Sequence, residues 1–359
     1  MDSGGRRSVD AVVIGGGYAT GRELAEFFLP SGPRGGLAAL LVSMTIWSAV
    51  CAATFAFAYA RDARDYRSLF KELLGPGWII FEIAYGLLVV LLLAVFGAAA
   101  GAIGAATFGW PQVAGTVCLM IGIACFTAFG NSAVEGLFKY VTYLLYGVYA
   151  LFTILALTHF GDRILANLAV PAPVDGWALG GITYASYNIV GAVVILPALR
   201  HLTSRRDAVI AGLIAGPLAM IPALLFFISM IAFYPGIAAV TLPSDFLLAR
   251  LDLPMFHLLF QLMIFAALLE SGTGALHAIN ERIARSSSSD ATSKSFRGRR
   301  LLIAASIMIL CMFIAERVGL VTLIAAGYRA LACVFLAIYI LPLFATGVLR
   351  ALKRSGPSA

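Results

Sequence analysis

From Gly35 to Tyr59, and again from Ala208 to Phe233, the chain runs without a single charged side chain. An α-helix needs about 20 apolar residues to cross the hydrocarbon of a bilayer. Ten spans of that kind can be laid out: Asp10–Leu29, Gly35–Tyr59, Trp78–Ala106, Pro111–Phe129, Val134–Phe160, Trp177–Leu199, Ala208–Phe233, Pro254–Ile283, Leu301–Ala315 and Leu320–Leu349. Barrel strands would alternate polar and apolar residues in runs of about 10, so these spans read as helices. Together they use most of the 359 residues, of which 61% are hydrophobic and 12% charged. Soluble domains stand nearer 45–50% and about 25%. The expectation is a polytopic all-α membrane protein, with no room for a soluble catalytic domain.

The charges test this layout. With the N-terminus in the cytoplasm, one side receives Arg6, Arg7, Arg61, Arg64, Arg67, Lys71, Lys139, Arg200, Arg205, Arg206, Arg282, Arg285, Lys294, Arg297, Arg299, Arg300, Arg350, Lys353 and Arg354, nineteen basic residues. The other side receives Arg34, Arg163, Arg250 and Arg317, while Arg22 and Arg329 fall inside spans. Lysine and arginine collect in short cytoplasmic loops, so both termini are expected in the cytoplasm, with the chain multi-pass. The net charge of +7 thus reports topology and not a nucleic-acid surface. Arg6 and Arg7 precede an apolar run too short for a signal peptide, which leads into Arg-Glu and not a cleavage site. The five cysteines, Cys51, Cys118, Cys125, Cys311 and Cys333, sit in apolar runs without metal-ligand spacing and read as small buried hydrophobes. The stretch Ser286–Ser295 reads as a flexible cytoplasmic linker within 284–300. The longer outer segments Gly161–Gly176 and Tyr234–Leu253 hold several prolines and read as short surface helices or lids.

The first span is interrupted. Val12-Val-Ile-Gly-Gly-Gly-Tyr-Ala-Thr-Gly-Arg-Glu23 places Gly15, Gly16, Gly17 and Gly21 within seven residues before the helix resumes with Arg22, Glu23 and Glu26. Each glycine weakens a helix by about 1 kcal/mol relative to alanine. In lipid such a break is tolerated where the freed backbone lines a cavity or a ligand. The sixth span repeats the pattern in Gly180-Gly-Ile-Thr-Tyr-Ala-Ser-Tyr-Asn-Ile-Val-Gly191, with Pro197 beyond. Tyr184, Ser186 and Asn188 there either line a site or make hydrogen bonds between helices. Paired interruptions at matching positions are the sequence mark of an inverted-repeat transporter. The chain then divides into 1–160 and 161–359, five spans each.

The stretch Gly-Gly-Gly-Tyr-Ala-Thr-Gly-Arg-Glu with Phe27-Phe28, supported by Tyr184-Ala-Ser-Tyr-Asn188, resembles the YkvI-like bacterial membrane proteins. Those are similar to the amino acid–polyamine–organocation superfamily with the LeuT-type fold. The resemblance implies a 5+5 inverted repeat of ten helices, helices 1 and 6 discontinuous, around a central site between spans one, three, six and eight. It also implies a bacterial cytoplasmic (inner) membrane, and it supplies no substrate.

Candidate substrate-binding residues are Gly15, Gly16, Gly17, Tyr18, Ala19, Thr20, Gly21, Arg22 and Glu23, with Tyr184, Ser186, Tyr187 and Asn188. An intramembrane charge costs at least about 2.5–3.5 kcal/mol on insertion scales, so ionisable residues there are functional candidates. Arg22 and Glu23 open the second half-helix, where a substrate carboxylate would meet the positive end of the helix dipole. They equally make sense as a local pair. In the eighth span, Glu270, Thr273, Gly274, His277 and Glu281 share one stripe. LeuT-type sodium symporters carry Ala-x-x-Thr-Ser in that span. Here Ala267-Leu-Leu-Glu270-Ser271 puts a carboxylate at the threonine position. The ion-coupling set is therefore Glu270, Ser271, Thr273 and Ala267 with Gly16, for sodium or a proton. A static ion pair of Glu270 with Arg329 stays open beside it. Arg329 in span ten needs a partner, and Glu270, Glu23 and Glu281 are the candidates. Arg329, Glu281 and His277 form the gating or ion-pair set. Glu82 and Asn280 sit toward the inner gate, and Lys139 beside Glu135 reads as an anchor. No catalytic constellation, no metal cluster beyond a sodium site and no organic cofactor is expected. The glycine run lacks the Gly-Lys-Ser/Thr ending of a nucleotide loop. The composite expectation is a secondary transporter for a small amino-acid-like or organic-amine solute, with the bilayer as its other partner. The rival is a channel or sensor that keeps the fold without coupling.

Overall fold

The computed structural model describes residues 18–129, 131–172, 174–201, 204–286 and 294–348. Among them every regular element is helical. Six helices are long and apolar enough to cross a bilayer: Leu29–Arg61, Tyr66–Phe108, Tyr143–Ala169, Arg205–Ile231, Pro254–Leu276 and Leu320–Gly347, with the shorter Gln112–Thr127 beside them. The sixth span is absent from that set because it is in pieces, and the ninth is absent too; of the first span only the residues from Tyr18 on are described. Leucine, isoleucine and phenylalanine side chains stand exposed around the outside, among them Leu213, Leu218, Ile221, Ile309 and Phe313. So much exposed apolar surface is stable only against lipid.

The first described turn is a 3-10 turn, Tyr18–Thr20. Gly21 follows at φ +77°, and the six-residue helix α1 (Arg22–Phe27) starts from it. A side chain at Gly21 would be strained in this left-handed conformation and would also meet the ring of Phe226 and Pro243. The long helix α2 (Gly32–Arg61) descends to the short α3 (Tyr66–Leu74), whose N-terminus is closed by a reciprocal capping box between Asp65 and Ser68. Then come α4 (Trp78–Phe108), α5 (Gln112–Phe129) and α6 (Asn131–Ala169).

The sixth span is split into α7 (Trp177–Asn188), a turn at Ile189–Val190, α8 (Gly191–Val194) and a 3-10 stretch at Leu196–His201. Next are α9 (Arg205–Ile231), the lid-like turn Gly236–Ala239 with α10 (Pro243–Leu251), then α11 (Pro254–Ser286) and α12 (Lys294–Val318). The last helix, α13 (Leu320–Gly347), is wound as π-helix over Leu323–Tyr328, Leu336–Ile340 and Leu343–Gly347. Such turns recur at functional sites because they shift side chains around the axis.

The stretch from Gly161 differs from the sequence expectation. Helix α6 runs on to Ala169 before the chain loops to Gly176. Asn167 Nδ2 bonds the Ile231 carbonyl at 2.8 Å and Arg34 Nε bonds the Leu168 carbonyl at 2.9 Å, so the extension is tied to neighbouring helices. Segment Tyr234–Leu253 does carry short helices, the turn at 236–239 and α10.

Helix α2 packs along α9 and α7; α4 packs on α5, α11 and α12; α7 also faces α13. Small residues allow the closest approaches. A Cβ at Gly212 would strike the backbone of Ala52, and one at Gly181 would sit 2.5 Å from the Ala39 carbonyl. Close backbone approach through small residues is how helices associate where lipid removes the hydrophobic drive.

Candidate functional site

Helix α1 is short, and the glycines of α7 let it lie close. Gly180 faces the Phe27 carbonyl with no room for a side chain, while the Gly181 carbonyl accepts from Ser43 Oγ at 2.8 Å. This brings α1 and α7 together at one buried polar contact. Tyr187 Oη donates to Glu23 Oε2 at 2.7 Å. Glu23 is 4% exposed and Tyr187 2%. Tyr187 stacks on Tyr328 of α13, with ring centroids 4.4 Å apart. Phe27 lies 6.1 Å from Tyr184 and 5.7 Å from Tyr187, and Phe28 lies 4.9 Å from Tyr184. Tyr328 is fully buried, and among the described residues its hydroxyl has no hydrogen-bond partner.

Arg22 turns away from Glu23. Its Nη1 donates to the carbonyls of Ala238 at 2.8 Å and Val240 at 2.9 Å, and its Nη2 reaches Glu26 Oε2 at 3.1 Å. Glu26 Oε1 in turn takes Arg329 Nη2 at 3.3 Å. One carboxylate therefore holds both intraspan arginines, and α1 is bound to the lid turn and to α13. The local pair of the first span is Arg22 with Glu26, one helical turn on, not Arg22 with Glu23. Among the described residues Arg329 likewise pairs with Glu26 and not with Glu270 or Glu23; the side chain of Glu281 lies outside them.

The remaining expected residues fall as follows. Ala19, Thr20 and Gly21 are buried beside the start of α1, and the Thr20 hydroxyl accepts from the Arg22 backbone N–H at 3.3 Å. Ser186 donates to the Ile182 carbonyl at 2.7 Å and Asn188 to the Tyr184 carbonyl at 3.1 Å, both within α7. Gly15, Gly16 and Gly17 lie outside the described residues, as do the side chains of Tyr18, His277 and Glu281. Ala267 and Thr273 are buried on α11, and Thr273 Oγ1 donates to the Leu269 carbonyl at 2.7 Å. Glu270 and Ser271 are half-buried. Glu82 takes the hydroxyl of Tyr66 at 3.0 Å and the guanidinium of Arg67 at 3.4 Å. Among the described residues there is no cluster of three or more His, Cys, Asp or Glu able to hold a metal.

Residue-by-residue reading passed over Glu26 and Tyr328. The i, i+4 spacing of Arg22 and Glu26 and the adjacency of Tyr328 to Arg329 were the available signals. The lid carbonyls carry no residue signature at all.

No family model matches the chain. The uncharacterized membrane protein YkvI of Bacillus subtilis is 27% identical over 287 residues, 76% of this chain and 78% of that protein. The chain is similar to that membrane protein over most of both lengths. Its fold is similar to that of one solved membrane protein. A sodium-coupled sialic acid symporter, solved in a substrate-bound outward-open state, matches with TM-score 0.56 at 13% identity, covering 93% of this chain and 79% of that one. At that identity the likeness is one of fold.

Proposed function

We propose that the chain is a secondary transporter that moves a small amino-acid-like or organic-amine solute by alternating access, driven by a sodium or proton gradient. The observation that carries this reading is the Glu23–Tyr187 contact at 2.7 Å, a buried polar bridge between two broken spans. Supporting it are the symporter fold and the Arg22–Glu26–Arg329 linkage, which ties α1 to the lid turn and α13. In this reading the ten spans form two inverted repeats, 1–160 and 161–359. The backbone of Gly15–Gly21 and the side chains of Glu23, Tyr184, Ser186, Tyr187 and Asn188 face the solute. Glu270, Ser271 and Thr273 with Ala267 and Gly16 hold the coupling ion, and the Glu26 linkage closes one side. The sodium coupling of the solved neighbour supports an ion gradient as the drive; its sialic acid is not carried over.

The test is a thermal-shift screen of amino acids and amines on purified protein, with and without sodium, since a ligand that binds only the folded state raises apparent stability. Solutes that shift the midpoint are then followed into proteoliposomes. Accumulation only under an imposed sodium or proton gradient is expected. Flux indifferent to both gradients would make the protein a channel. Unchanged binding and coupled uptake in Glu270→Ala would remove Glu270 from the coupling site.

A further inference from the structure

Among the described residues no countercharge faces Glu23. On its own helix, Arg22 is committed to two lid carbonyls and Glu26, and Arg329 also goes to Glu26. From α7 the facing groups are Tyr187 and Asn188, and from α13 it is Tyr328. All three are neutral. Residues 8–21, which lead into α1, contain no lysine or arginine. A buried carboxylate with no countercharge is not stable as the bare ion; it takes a proton or a cation.

We infer that Glu23 is an exchange site for one positive charge: the ammonium group of the solute when solute is bound, and a proton when it is not. The inference rests on the carrier reading above and narrows its solute to a primary amine. The surroundings suit an ammonium group. The stacked faces of Tyr187 and Tyr328 with Phe27 attract a cation through their ring quadrupoles. The unpartnered Tyr328 hydroxyl offers an acceptor to one of three N–H donors. A solute carboxylate fits poorly, because Glu23 already puts a carboxyl group at this end of α1 and like charges repel. The exchange balances. As R–NH3+ arrives, the Glu23 acid releases its proton to water and its carboxylate bonds the ammonium. No net charge is added to the site, and one proton leaves per ammonium bound. Amine and proton therefore travel in opposite directions.

The experiment uses the full chain in detergent, with primary alkylamines from propylamine to hexylamine and with alcohols and carboxylates of matched length. Thermal shift reports binding, and a pH dye in weak buffer reports released protons. The amines alone are expected to stabilise the protein, with close to one proton released per amine. Competition at one group makes the apparent affinity fall about tenfold per pH unit on acidification. Glu23→Gln should abolish the amine response. Should that variant fail to fold, Glu23→Asp should keep the proton count while weakening affinity at least several-fold. Tyr328→Phe should weaken affinity with the proton count unchanged. Amine binding without proton release, equal stabilisation by alcohols or carboxylates, an undiminished response in Glu23→Gln, or no response to any amine would overturn the inference. Sodium-dependent binding of a carboxylate that ignores Glu23→Gln would keep the carrier reading and overturn only the exchange site. Proton-linked amine binding without gradient-driven uptake would do the reverse.

Discussion

Arg22 and Arg329 share Glu26, yet their surroundings give them different weight. The Arg329 side chain is 61% exposed, and an exposed ion pair is worth about 0–1 kcal/mol. Arg22 is 5% exposed and holds two carbonyls besides Glu26, and a hydrogen bond to a charged group is worth about 1.5–3 kcal/mol. Arg22→Ala is therefore expected to lower stability by about 2–4 kcal/mol once relaxation is allowed for, and Arg329→Ala by under about 1 kcal/mol. Thermal midpoints in detergent compare the two, and equal losses would contradict the assignment. Releasing the lid should also speed labelling of a Leu242→Cys probe, at a buried position beside the lid turn, by a membrane-impermeant thiol reagent in Arg22→Ala. Deeper in the bundle, Tyr339 and Thr54 share a hydrogen bond of 2.7 Å. Bonds of this kind inside a membrane average about 0.6 kcal/mol, so Tyr339→Phe should move the midpoint little and leave ligand response intact.

Among the elements, α2 and α9 make the closest pairing. Gly212 lies against the backbone of Cys51 and Ala52, Gly216 against Met44 and Ser48, and Ser48 Oγ bonds the Leu213 carbonyl at 2.8 Å. Gly212→Leu would force the helices apart and is expected to abolish a monodisperse folded peak in size-exclusion chromatography. Gly86→Ala, where nothing lies within 4 Å of the new methyl, should leave that peak unchanged or sharpen the melt. The break in the sixth span was legible before the fold was known, because glycines beside polar residues in an apolar run are costly unless used. The length of α6 was not. Helix α6 continues through Gly161 to Ala169, since contacts from Arg34 and to the Ile231 carbonyl hold a segment whose composition reads as loop.

For the whole molecule, the charge asymmetry predicts an orientation that shape alone does not contain. Reporter fusions after Ala359 and within Ser286–Ser289 should read cytoplasmic, and one at Asp252 should read external; a reversed pattern would refute the ten-span layout. Hydropathy is a local property, summed along each span, so the sequence by itself determined that this is a helical membrane protein and that its sixth span is interrupted. The partners across the site were decided only by the tertiary structure. Glu26 was one acid among several until folding set it between Arg22 and Arg329. Tyr328 was one aromatic in an apolar helix until a π-helical turn laid it on Tyr187. Pairing between residues 303 positions apart depends on the direction in which side chains leave their helices, and linear order does not encode that.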